Sequence, residues 1–211
     1  DTAWEASSTS TAVGNEAAGL VTSGSVDLDV IQTLDGNVRA DNQLLGGTAG
    51  LAVATTTAYG NSATGGTWSG NTYYRADQVS NGDVAANTVV DMDRANNVAT
   101  ATTAIANVSV PTNEYGSSSA FQVQESNGSV EATTDVDMCC DGNSASFGTT
   151  AGGNAVSSTG STSTNMNGAV QTTAAGETIA ASSDIYMGNG HNVLAATTSF
   201  GHSATVHNEW G

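Results

Sequence analysis

Residues 78–84 read QVSNGDV, and residues 124–130, which lie 46 positions further on, read QESNGSV. The same order of a Gln, a Gly and a branched aliphatic residue begins at Gln32 and again at Gln171. The four Gln are therefore 46, 46 and 47 residues apart. A sequence that repeats at a nearly fixed interval is typical of a stack of similar structural units.

A second marker, a small residue followed by Asn or His, lies midway between the Gln positions. Taken with the Gly that follows each Gln, it gives nine positions that are 22 to 25 residues apart. We therefore predict a single array over residues 1–211, made of 46-residue double units. The predicted ladder and turn residues are Gln32, Gln78, Gln124, Gln171, Gly14, Asn15, Gly36, Asn37, Gly60, Asn61, Gly82, Asn107, Gly128, Gly153, Asn154, Gly176 and Gly201.

Apolar residues alternate with polar ones after the Gly of each double unit, with a period of two. A helix would instead show a period of about 3.6. The alternation predicts β-strands with one buried face. The predicted inward residues are Val84, Ala86, Val90, Met92, Val130, Ala132, Val136, Met138, Ile179, Ala181, Ile185 and Met187.

The Gly pairs between these strands are typical of turns, because Gly adopts positive φ and the neighbouring Asn or Asp tolerates it. We predict an all-β fold, a parallel β-solenoid of about nine coils of ~23 residues with two strands per coil and a thin, flat core. A hairpin meander is the alternative. Inward Gln and Asn would form ladders in which each amide bonds its copies in the neighbouring coils.

The chain has 20 acidic residues and only three basic ones, Arg39, Arg75 and Arg94, for a formal net charge of −17. Phosphates are bound by Lys and Arg, so this charge excludes nucleic acid and anionic membranes as partners. No apolar run is long enough to span a membrane. Disorder is the alternative interpretation of the low-complexity composition. The sustained register and the single Pro, Pro111, argue against it.

The sequence opens at Asp1 without an initiating Met, so we expect a processed, secreted protein that is extracellular or on a bacterial cell surface. Cys139 and Cys140 are adjacent. Neighbours on a strand point to opposite faces, so we expect two unbridged thiols. A vicinal or an intermolecular disulfide is the alternative.

No catalytic residue and no cofactor are predicted. Hard cations such as calcium are bound by several carboxylate oxygens, and outward acids are the candidates for such a site. The alternative, which we favour, is a solvated acidic face that keeps monomers apart. The three His, at positions 191, 202 and 207, fit no zinc spacing. The metal candidates are Asp91, Asp93, Asp135 and Asp137, and the wider face includes Asp27, Asp29, Asp41 and Asp184.

Three functions are consistent with a solenoid. The favoured one is a structural subunit: Gly14 of a following copy would fall 24 residues after Gly201, so we expect the repeat to continue head to tail. A monomeric module that binds ice or a glycan is the second, because Thr recurs in corresponding half-units. A polysaccharide lyase is the third, but such enzymes use basic groups, which are scarce here.

The motif of Gln32, Gly36 and Asn37 with Gln43, and the string GNSA at residues 60–63 and 142–145, resemble the repeats of the curlin family. The recurring Ala-Thr-Thr and Gly-Asn segments also resemble holdfast-anchor proteins of stalked bacteria. The resemblance implies a functional amyloid, an extracellular fibre of β-solenoid subunits for adhesion or biofilm matrix. The partners that it implies are further copies of the chain, surface polysaccharide, and outer-membrane secretion or anchor proteins.

Overall fold

The computed structural model describes residues 2–140 and 142–208, and these residues form nine β-strands and no helix. None of them therefore forms a helix that is long and apolar enough to cross a membrane. The strands are β1 (Thr2–Ser23), β2 (Val26–Leu34), β3 (Val38–Ser69), β4 (Thr72–Ser80), β5 (Val84–Ser126), β6 (Val130–Cys140), β7 (Gly142–Thr173), β8 (Ile179–Met187) and β9 (Gly190–Asn208).

All pairing between these strands is parallel, and it follows the repeat of the sequence. Val38 pairs with Val84, Val84 with Val130, and Val130 with Ile179. Residues that share a position in the 46-residue unit are thus neighbours along the stack. The predicted all-β class and the parallel pairing are confirmed.

The coil is longer than predicted. Each residue pairs with the one 46 positions away in the first three coils, not with the one about 23 positions away. The 211 residues therefore make about four and a half coils of 46 residues rather than nine of 23. The physical reason is that the two half-units carry different inward side chains, Gln in one and Asn in the other, and each kind stacks on its own.

The coil is flattened into two layers that face each other. We call residues 3–23, 48–69, 94–115, 142–162 and 190–208 the front arcs, and residues 26–46, 72–92, 118–138 and 165–187 the back arcs. The chain passes from front to back at Gly24, Gly70 and Gly116, where φ is 105°, 140° and 130°. Only Gly adopts such angles readily, which fixes this edge of the coil.

The core between the layers is thin because small side chains dominate it. Its apolar residues form three clusters along the coil, rich in Ala, with Val from the back arcs in all three and Met in one of them. Of the predicted inward residues, those of β5 and β6 are buried, while those of β8 are partly buried. The largest fully buried side chain of the described residues is Phe147.

The expectation of two unbridged thiols is wrong, since Cys139 and Cys140 are joined to each other by a disulfide. The pair lies at the corner where β6 ends and the chain turns into the next front arc. Met138 is buried, Cys139 is exposed and Cys140 is half-buried, so the strict alternation of faces ends at this point. The opposite-face argument applies to a continuous strand and fails at a corner.

In the second and third coils, the Gly between the back-arc strands is required by the close approach of the preceding coil. A Cβ on Gly82 would clash with the carbonyl oxygen of Gly36, and one on Gly128 would clash with that of Gly82. A Cβ on Gly36 would meet nothing within 4 Å. The close approach of successive turns, rather than a special φ, explains this Gly.

We expect Gly82→Ala to destabilise the protein by about 1–3 kcal/mol, because the turn must move away from its neighbour. Gly36→Ala is the matched control and should change the free energy of unfolding by less than about 0.5 kcal/mol. Thermal unfolding followed by circular dichroism measures both. Equal melting temperatures for the two variants would contradict the stacked-turn geometry.

Candidate functional site

The four repeated Gln form a continuous ladder inside the coil. Gln78 Nε2 donates to Gln32 Oε1, Gln124 Nε2 to Gln78 Oε1, and Gln171 Nε2 to Gln124 Oε1, each at 2.8 Å. Gln78 and Gln124 are completely buried. A buried amide is stable only when its hydrogen-bonding groups are satisfied, and here its own copies satisfy them.

The same Gln amides also tie the back arcs to the front arcs. The second N–H of each Nε2 donates to a front-arc carbonyl oxygen 3.0 to 3.2 Å away. The acceptors are the backbone oxygens of Ser62, Val108, Ala155 and Ser203. One side chain thus holds two coils and two layers together.

The Asn of the other half-unit form a second ladder, which runs in the opposite sense. Asn15 Nδ2 donates to Asn61 Oδ1, Asn61 to Asn107, and Asn107 to Asn154, each at 2.8 Å. Each Asn donates to the following coil, whereas each Gln donates to the preceding one. Every Asn Nδ2 also donates to a back-arc carbonyl oxygen at 2.7 to 2.9 Å.

His202 occupies the Asn position in the last front arc. Its Nδ1 lies 3.4 Å from Asn154 Nδ2, which has N–H groups to donate. When Nδ1 accepts this hydrogen bond, the ring proton of a neutral His is on Nε2. The other two His, His191 and His207, are exposed.

A chain of hydroxyl groups lies between two of the apolar clusters, and the sequence analysis missed it. It zigzags between the layers with oxygen separations of 2.6 to 2.7 Å. Its members are Thr56, Thr88, Thr102, Thr134, Thr149 and Ser183. The sequence feature that could have revealed it is the pair Thr88 and Thr134. Each lies an even number of residues from the buried Val and Met of its strand and therefore faces inward with them.

The turn residues stack on the outside. Asn37 Oδ1 accepts from the backbone N–H of Asp83, and Asp83 Oδ1 accepts from that of Ser129. Asn127 Nδ2 donates to Asn81 Oδ1 in the same way. These side chains are exposed or half-buried, so water competes for their hydrogen bonds.

The candidate metal ligands do not converge on one point. Asp91 is paired in register with Asp137, and Asp135 with Asp184, while Asp93 lies at the corner. Within the described residues, no three His, Cys, Asp or Glu side chains are grouped so that they could hold a metal ion. Calcium binding stays a prediction that this geometry does not favour.

One of the outward acids has a partner on its own strand. Arg39 Nε donates to Asp41 Oδ2 at 2.7 Å, and this guanidinium lowers the pKa of the Asp41 carboxyl. Both side chains are largely exposed, so solvent screens the pair and it adds little to stability.

The arrangement defines a class of protein: a β-solenoid whose interior combines apolar clusters with polar ladders that have the period of the sequence. Such an interior builds and rigidifies a stack. A family model described as HfaD, holdfast attachment protein D, matches residues 1–211. The chain therefore belongs to the HfaD holdfast attachment protein family, which gives it an adhesion-related structural role at the bacterial cell surface. No curated protein and no solved structure matches it significantly.

The resemblance to holdfast-anchor proteins is confirmed by this family, while the resemblance to curlins stays a prediction. The holdfast attachment family is an adhesion-related one. That the chain has no enzyme activity also stays a prediction.

We expect Asn107→Ala to destabilise the protein by about 2–4 kcal/mol, because it leaves Asn154 Oδ1 and the Glu125 carbonyl without their buried donor. Asn81→Ala removes an exposed Asn that pairs with Asn127 on the outside of the coil, and it should lower the free energy of unfolding by less than about 0.5 kcal/mol. Urea unfolding measures both. A cost for Asn107→Ala as small as that of Asn81→Ala would show that the buried ladder contributes little.

Tyr74 provides a pH-dependent test of the third apolar cluster. Its hydroxyl donates to the Ala63 carbonyl at 3.1 Å and lies 2.9 Å from Ser109 Oγ. Burial raises the pKa of Tyr74 above its ordinary value, because the phenolate would lose its hydration. A raised pKa in the folded state means that the associated stability is complete below about pH 10 and is lost as the pH rises through the folded value.

We therefore expect the native chain to lose stability above about pH 10 more steeply than Tyr74→Phe does. Urea unfolding at pH 8 and at pH 11 gives the comparison. Tyr73→Phe changes an exposed Tyr of the same strand and should behave like the native chain. An identical alkaline loss in Tyr74→Phe would show that ionisation of Tyr74 is not its cause.

Proposed function

We propose that the chain is a structural subunit of an extracellular fibre for adhesion or biofilm matrix, secreted and polymerised head to tail. The observation that supports this most is the pair of amide ladders, in which each coil supplies the hydrogen-bonding partners of the next. The end of such a stack can bind a further coil through the same kind of hydrogen bonds that join its own coils.

The two ends of the described chain offer matching front arcs. Position 15 of β1 corresponds to positions 61, 107, 154 and 202 in the successive front arcs. A copy stacked through β1 on β9 would place Asn15 Oδ1 opposite the His202 ring. His202 Nε2–H would then donate to Asn15 and continue the ladder.

The spacing of 24 residues from Gly201 to Gly14 of a following copy does not support this proposal by itself. Successive half-units lie in different layers, whereas both residues belong to front arcs. The described chain has five front arcs and four back arcs. A junction of β9 with β1 therefore continues the front layer without interruption but leaves one back arc missing between the two copies. The support comes from the matching side chains of the two arcs.

The other partners follow from the family and not from a visible site. Attachment at a cell surface requires a connection to the envelope, so we propose outer-membrane secretion or anchor proteins as partners at one end of the fibre. Surface polysaccharide is proposed as a further partner. No cofactor is needed for a role that depends on stacking.

Electron microscopy of the purified chain over a concentration series tests the proposal. We expect filaments whose length increases with protein concentration. Particles that remain single at every concentration, with an intact circular dichroism spectrum, would defeat it.

His202 gives the sharper prediction. We expect His202→Leu to slow filament growth by roughly tenfold, because it removes the donor to the next copy, while His202→Asn should preserve growth. His191→Leu is the matched control, since His191 is an exposed His outside the ladder. Light scattering during growth measures the rates. Equal rates for His202→Leu and His191→Leu would show that the junction does not use position 202.

A further inference from the structure

Most charges of this strongly acidic chain lie on one side of the flattened coil. No acidic residue and no Arg lies between Asp41 and Arg75, between Arg94 and Glu114, or between Asp184 and Glu209. The same is true from residue 142 to residue 176. These stretches contain nearly all of the last four front arcs. The outer face of the front layer is therefore almost uncharged in four of its five arcs.

The back layer carries the acidic residues instead. Ten acids lie at outward positions of its arcs and Asp93 lies at the adjoining corner, against three acids in the described part of the front arcs, Glu5, Glu16 and Glu114. The ten are Asp27, Asp29, Asp41, Asp77, Asp91, Glu125, Glu131, Asp135, Asp137 and Asp184. Two back faces would repel each other strongly on approach.

The outer front face between the corner and Gly60 is regular, and Thr, Ser, Ala and Gly occupy most of its outward positions. Thr11, Thr57, Thr103, Thr150 and Thr198 stack in one outward column. The adjacent column carries Val13, Tyr59, Ile105, Gly152 and Phe200, with Phe200 lying over Gly152. In the inner coils these Thr are half-buried by their neighbours alone, so little additional dehydration is needed to cover them.

We propose that this outer front face, defined by the outward residues of positions 51–59 and their equivalents in the other arcs, binds the same face of a second copy. The charge distribution favours this occupant. Each copy has a net charge of −17, and two copies that meet through their front faces keep their acidic back faces away from each other. Glu5 lies at one corner of the face and is the exception.

The size of the face fits a stable pair. Nine residues at ~3.3 Å and five arcs at ~4.8 Å give about 30 Å by 24 Å, or roughly 700 Å² on each copy. Two such faces bury about 1,400 Å², within the range of specific protein interfaces. Thr, Ala, Ser and Gly permit close approach of the two sheets, as in the dry interfaces of paired β-sheets.

This interaction is lateral and differs from the stacking proposed above, which adds copies along the axis. It would make the fibre two solenoids wide, with the acidic back faces on both outer surfaces. Lateral growth would then stop at two, because the back faces repel further copies. The proposal does not require head-to-tail growth, since single subunits can also pair.

Sedimentation velocity of the full chain over a concentration series tests the pairing. We expect a species of twice 20.9 kDa that becomes more abundant as salt screens the residual charge. Thr103→Asp places a charge at the centre of the face and should weaken pairing roughly tenfold or more. Thr133→Asp, at an outward half-buried position of the back layer, is the matched control and should pair like the native chain.

Two further variants keep the test decisive. Ser146→Asp changes an exposed position of the same face and should also weaken pairing. It replaces Thr103→Asp in the test if that variant does not fold. A mixture of Thr103→Asp with Thr103→Lys should restore pairing, because opposite charges then meet across the interface.

Several outcomes would overturn the proposal. A native chain that stays monomeric up to millimolar concentration would do so, as would Ser146→Asp or Thr103→Asp variants that pair as well as the native chain. Binding of a neutral polysaccharide such as dextran by a strictly monomeric chain would assign the face to a glycan instead. Filaments of single width that form without pairing would leave head-to-tail growth intact and refute only the lateral interface.

Discussion

The structure depends on one interaction, the hydrogen bond between identical amides one coil apart. A primary amide both donates and accepts, so a column of Gln or Asn satisfies itself at any length. The inward Gln and Asn add a bond to the opposite layer from the same nitrogen. This dual use explains why polar residues occupy the centre of a protein whose apolar side chains are mostly too small to fill a thick core.

The ladders also fix the register. Small apolar side chains such as Ala resist a slip of the strands only weakly, and a slip of one residue would turn every side chain to the other face. A buried amide or hydroxyl that loses its partner costs about 1–3 kcal/mol, so misaligned coils are penalised at several positions at once. The Thr56 to Ser183 hydroxyl chain adds the same selectivity between two apolar clusters.

The front and back faces of the coil differ in charge. In the proposed pairing, the acidic back arcs would keep copies apart, whereas the almost uncharged front arcs would offer a surface that another copy can cover. In the proposed fibre, the first property would keep subunits apart before assembly and the second would hold them together afterwards. The vicinal disulfide between Cys139 and Cys140 lies at the corner between the two faces.

Much of the fold was predictable from the repeat, and the errors have physical causes. The alternation around Val84 and Val130 indicated strands with one buried face, and the repeat suggested parallel stacking. The predicted coil length was wrong because each half-unit was assigned a coil of its own, whereas Gln stacks on Gln and Asn on Asn, 46 residues apart in the first three coils. The hydroxyl chain was missed because only the apolar members of the alternation were assigned to the interior, and Thr88 lies between them. The almost uncharged front face became visible only when the arcs had been assigned to layers.

The most direct test of the account is a set of nuclear Overhauser contacts for the side-chain amide protons of Asn61. A 46-residue coil predicts that these protons contact Asn107 and the backbone around Val79. Contacts from Asn61 to the turn around Asp83, about one half-unit away, without any contact to Asn107 would contradict the ladder geometry on which the rest depends.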